Sequence, residues 1–152
     1  MRPIRVEVPR RLVERFKREA KASFPRETFA YLVGQNGGDL VVIEELFTPD
    51  DVQNYCTEAA VNVPNHWPAE ARAFAKEHEA EVVGDIHSHP RRYEVWKGQI
   101  TERTPSEGDH AEGWCGLCGI CVVSEQKDGR LRASVRFYGP SYRIQTRFIN
   151  VC

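Results

Sequence analysis

Residues 81–90 read Glu-Val-Val-Gly-Asp-Ile-His-Ser-His-Pro, an apolar run that turns polar at its end and meets a proline. This is a strand signature, with Pro90 expected to stop the strand. Side chains two apart on a strand share a face, so His87 and His89 stand side by side while Ile86 and Ser88 point the other way.

The elements upstream supply what such a strand needs to pack. Trp67, Ala71, Phe74 and Ala75 recur at helical spacing toward Glu79, after a short β-like stretch at Val61 and Val63 that ends before Pro64. Further back, the apolar runs 28–33 and 40–47 flank Gly34-Gln35-Asn36-Gly37-Gly38-Asp39 and read as a β-hairpin. Leu12, Val13, Phe16 and Ala20 mark an amphipathic helix from Arg10 to Ser23. The basic residues Arg11, Arg15, Arg18 and Lys21 form its solvated side. Ile4, Val6 and Val8 alternate with polar neighbours in an opening strand, and Pro9 starts the helix.

Downstream comes a polar loop over 91–104, then strands expected over 115–124, 131–138 and 142–151, with a turn at Lys127-Asp128-Gly129-Arg130. Hairpin-linked strands interrupted by helices indicate an α/β fold, a mixed β-sheet flanked by helices. The length of 152 residues matches one domain, 1–152.

Bulk composition narrows the class. A formal net charge of −1 with 28% charged residues implies no nucleic-acid partner. No stretch is long and apolar enough to span a membrane, and the N-terminus lacks the apolar core of a signal peptide, so a cytoplasmic setting is expected. Five cysteines, Cys56, Cys115, Cys118, Cys121 and Cys152, are an odd count and a poor disulfide framework. Strand alternation sends Cys118 away from Cys115 and Cys121, which favours buried thiols over a cysteine-only metal site.

Two histidines on one strand face suggest zinc, and a catalytic zinc takes three protein ligands and keeps a fourth position for water. Asp109 is the best candidate for the third. It follows Thr104-Pro105-Ser106, a helix start capped by Ser106, so one helical turn carries Ser106 and Asp109 to the same cleft. Glu102, Glu107 and His110 lie near enough to compete. Each element alone has a plain reading: paired strand histidines as polar surface, Ser106 with Asp109 as a helix cap.

Together, His-Ser-His-Pro at 87–90, Pro-Ser-x-x-Asp at 105–109 and Pro-Arg-Glu-Thr-Phe-Ala-Tyr-Leu-Val-Gly at 25–34 resemble the metal-binding pattern of the JAB/MPN (JAMM) metalloproteases, over roughly 10–138. The resemblance implies a cytidine-deaminase-like architecture, zinc on His87, His89 and Asp109, and catalytic roles for Glu27 and Ser106. It departs from the family in one place, where the loop 91–104 is longer than the usual spacing. In such a site Glu27 would accept a proton from water and return it to the leaving amine, and Ser106 would hydrogen-bond the oxyanion. The loop's Arg91, Arg92, Tyr93, Trp96 and Lys97 suit a lid over a peptide tail and an ordinary surface loop equally.

The family hydrolyses amide bonds. The implied activity is therefore an isopeptidase or peptidase cutting after the C-terminal glycine of ubiquitin or a ubiquitin-like protein. That protein or its conjugate, with E1/E2-like proteins of the same pathway, are the implied partners. Release of an amino acid or peptide from a sulfur-carrier protein would use the same five residues. A non-catalytic MPN interaction domain usually loses one or more of them.

Overall fold

The computed structural model describes residues 4–96, 117–139 and 144–150. Strand β1 (Ile4–Pro9) leads into helix α1 (Arg10–Ser23), followed by the hairpin β2 (Phe29–Asn36) and β3 (Leu40–Phe47). A 3-10 turn at Val52–Tyr55 precedes helix α2 (His66–Glu77). Strand β4 (Glu81–Arg91), the short helix α3 (Tyr93–Trp96) and strands β5 (Leu117–Glu125), β6 (Leu131–Tyr138) and β7 (Ile144–Ile149) complete the order.

These strands form one mixed sheet in the order β6-β5-β4-β2-β3-β1-β7. β4 lies antiparallel to β2 and parallel to β5, while β1 runs parallel to both β3 and β7. The Val61 and Val63 stretch contributes only an isolated bridge, Cys56 to Val61. The sheet thus bears out the α/β, mixed-strand expectation. Among the described residues no helix is long and apolar enough to cross a membrane.

Alternation sorts the core into two layers. On one face, the α1 residues Leu12, Val13, Phe16 and Ala20 bury against Ala30, Leu32, Ile86, Cys121 and Val123. On the other, Phe29 and Tyr31 of β2 pack with Trp67 and Ala71 of α2. Phe29 stacks on Trp67 with ring centroids 5.4 Å apart and meets Tyr31 edge-on at 4.8 Å, geometries that aromatic quadrupoles favour. Buried Trp67 also needs a partner for its indole N–H, and Asp51 accepts it at 2.8 Å while facing His66 Nε2 at 2.6 Å. That carboxylate fixes the start of α2, and the Trp67 bond, then His66, hold its pKa below the usual carboxylate range.

Gly84 explains how β4 and β5 come so close. A Cβ there would collide with the Leu117 carbonyl, so any larger residue would push the two strands apart. At the other end β4 does not stop at Pro90 but continues to Arg91. Proline is tolerated because the β2–β4 ladder ends at Phe29 and His87, with one further bond from Ser88 N to Thr28 O, so among the described residues β2 does not pair with Pro90. Pairing with β5 continues to Arg91 and Ser124. The expected polar loop is correspondingly shorter at its start, opening with the α3 turn rather than at Arg91.

Candidate metal centre

The register of β4 settles which side chains gather. Asp85, His87 and His89 occupy alternate positions, on the face that carries Phe29 and Tyr31, because His87 pairs with Phe29 and Asp85 with Tyr31. His87 is buried at 6% exposure and His89 is half-buried. Their Nε2 atoms face each other at 3.0 Å, with ring planes 57° apart.

This spacing tests whether the pair fits a metal. Two imidazoles bound to one tetrahedral zinc, each with an N–Zn length of about 2.0–2.1 Å, place their nitrogens about 3.3 Å apart. The observed separation is close to that value, and neutral imidazole nitrogens are common zinc donors. The donor set fits a zinc ion.

The backbone at Glu27 is fixed by a different set of bonds. Thr28 N donates to Ser88 Oγ at 2.8 Å, and Ser88 N donates to Thr28 O at 3.1 Å. These bonds extend the β2–β4 register by one residue and bring Glu27 level with His89, on the face of Phe29. The Glu27 amide also donates to Thr57 O at 2.8 Å, tying its backbone to the 57–60 turn. Glu27 is 7% exposed, unusual for a glutamate and a mark of a built position rather than a surface carboxylate. Ser88, read from the sequence only as facing away from the histidines, is the buried clasp that sets this alignment.

The turn is held from the other side as well. Arg92, three residues beyond His89, forks onto Glu58 with contacts of 2.9 to 3.1 Å. The Arg92 guanidinium keeps the Glu58 carboxyl below its usual range. Exposed pairs of this kind add little stability, so the effect is geometric: the β4 exit and the Glu27 turn are joined.

Two thiols are removed from consideration as nucleophiles. Burial, followed by the charge of Glu27, pushes Cys56 up to about 11. Burial pushes Cys121 up to about 12. Both are protonated at neutral pH, when the thiolate is the reactive form.

Sequence reading missed two donors. Asp85 and Cys118 are cross-strand neighbours in the parallel β4–β5 pair. With His87 they bring three ligand atoms to within 4.8 Å of one another. Asp85 was within reach of the same alternation that singled out the histidines; Cys118 was not, because its neighbour depends on which strand lies beside β4. Ser106 and Asp109, with Glu102, Glu107 and His110, lie outside the described residues.

Residues 9–136 match the family model described as prokaryotic homologs of the JAB domain. The fold is similar to a solution structure of a protein from Desulfitobacterium hafniense, with a TM-score of 0.61 at 14% identity, covering 95% of this chain and 94% of that one. It is also similar to the crystal structure of a JAB1/MPN domain protein from Archaeoglobus fulgidus, with a TM-score of 0.51 at 20% identity, covering 92% and 97%. At such identities these structures speak for the fold alone. No curated protein matches the chain.

Proposed function

Because this chain belongs to the prokaryotic homologs of the JAB domain, we propose that it is a zinc-dependent peptidase of the JAMM type. Its reaction is hydrolysis of the amide bond after the C-terminal glycine of a ubiquitin-like protein, as deconjugation or precursor processing, in the cytoplasm. The observation that carries this reading is the convergence of His87 Nε2 and His89 Nε2 at 3.0 Å.

In this reading His87, His89 and Asp109 hold the ion. A zinc ion held there would supply Lewis-acid chemistry, lowering the pKa of a bound water and polarising a carbonyl. Glu27 is the acid–base group of this reading, which would accept a proton from the attacking water and return it to the departing amine. Its low exposure suits the task, since a carboxylate screened from solvent exchanges its proton with the reactants rather than with bulk water. Ser106 donates to the oxyanion. The substrate side is a ubiquitin-like tail, with E1/E2-like proteins of the same pathway as further partners.

The test is cleavage of a ubiquitin-like protein fused through its C-terminal glycine to a reporter, comparing wild type with Glu27→Ala at equal zinc content. The proposal expects turnover to fall about 10²–10⁴-fold in Glu27→Ala, the usual contribution of a positioned acid–base group. Undiminished turnover in Glu27→Ala would overturn the mechanism. Cleavage only of a sulfur-carrier fusion would keep the reaction and change the substrate. Zinc-loaded wild type that cleaves neither would favour an interaction domain.

A further inference from the structure

The cluster of Asp85, His87 and Cys118 shares only His87 with the hydrolytic scheme, and its ligand atoms gather within 4.8 Å of one another. Two of the three come from consecutive inward positions of β4 and the third from the position paired with Asp85 on β5. The sheet itself therefore holds them. Asp85 is only 8% exposed, so the cluster is set into the sheet rather than on an open surface. Cys118 Sγ lies 3.9 Å from Gly119 O, a long contact for a weak thiol donor and a poor competitor for a metal.

The geometry points to a second metal seat made of Asp85, His87 and Cys118, which shares His87 with the His87–His89 pair and takes a thiophilic divalent ion such as Cd2+ or Zn2+. Carboxylate oxygen, imidazole nitrogen and thiolate sulfur form a mixed donor set, and the thiolate biases it toward soft ions over Mg2+ or Ca2+. Binding releases the Cys118 proton, leaving a neutral imidazole and two anionic ligands around a dication. A neutral imidazole offers one lone pair, so the two seats compete for His87 and one chain fills one of them at a time. An ion drawn to the sulfur seat is withdrawn from His89. This inference needs His87 but not the hydrolase reading.

The experiment is Cd2+ titration of the metal-free full-length chain, following sulfur-to-metal charge-transfer absorption. Wild type is expected to develop the band and saturate near one ion per chain. The band should vanish in both Cys118→Ser and Cys118→Ala, and should need about 10- to 100-fold more Cd2+ in Asp85→Asn. It should persist in His89→Ala and Asp109→Ala, variants that cripple the hydrolytic seat, so failure here is separable from failure of the peptidase proposal. No band in wild type, or an undiminished band in folded Cys118→Ser, would overturn the second seat.

Discussion

Even- and odd-numbered residues of β4 share one backbone and live in different surroundings. Gly84, Ile86 and Ser88 face α1 or clasp β2: Ile86 sits in the larger core cluster and Ser88 binds Thr28. Asp85, His87 and His89 face the other layer, at the strand end beyond the aromatic packing of Phe29, Tyr31 and Trp67. Six consecutive residues, 84–89, thus divide between stability and chemistry. The division follows from the twofold period of the strand.

The difference teaches that damage to the two sets should look unlike. The largest effect is expected from Ile86→Ala, a truncation at a 2% exposed site that leaves a cavity under α1. Denaturant unfolding should show a loss of about 2–5 kcal/mol, while zinc affinity of the folded fraction stays unchanged. A loss of zinc affinity without a loss of stability would break the comparison at its strongest point.

Ser88→Ala comes next. It leaves the Thr28 amide without its side-chain acceptor in a buried place, which should cost about 1–3 kcal/mol in the same measurement. Because Ser88 also sets the level of Glu27, turnover on a ubiquitin-like fusion should fall with it, though less than in Glu27→Ala. Normal turnover in Ser88→Ala would separate the clasp from the chemistry.

On the opposite set, His89→Ala should change the stability of the metal-free chain by no more than about 1 kcal/mol, since a half-buried polar side chain near solvent contributes little packing. A larger loss would make His89 a core residue rather than a ligand.

The smallest effect concerns Cys121, on the even-face layer. Its thiol, ordinarily at 9.0, is pushed up to about 12 by burial, so the unfolded chain releases this proton at lower pH than the fold. Its contribution is intact below about pH 9 and is lost as pH rises toward 12. The alkaline decline of Tm from pH 9 to 11 should be flatter in Cys121→Ala than in wild type; equal slopes would remove the assignment.

What the sequence makes legible is what depends on near neighbours. The spacing of Leu12, Val13, Phe16 and Ala20 announces α1 and its buried side, and all four are buried. The alternation of His87 and His89 announces the shared face, and their nitrogens meet there. The exclusion of Cys118 from Cys121's side holds, since Cys118 pairs with Asp85 and Cys121 with Ser88. Less legible are matters of long-range pairing. The parallel placement of β5 against β4 brings Cys118 to Asp85 across 33 positions of chain, and no local pattern encodes that. Pro90 misleads for a similar reason: its missing N–H forbids an interior ladder, and only the β2–β4 register, which ends at Phe29 and His87, shows that β2 does not pair with Pro90.

The central claim is that the odd-numbered face of β4 holds a metal ion through His87. It is tested most directly by the zinc content of the purified chain after equilibration with zinc, measured by elemental analysis for wild type and His87→Ala. His87 belongs to both donor sets, so the account predicts about one zinc per wild-type chain and none in a His87→Ala protein that keeps its wild-type circular dichroism. Wild type without zinc, or folded His87→Ala with the wild-type amount, would contradict it.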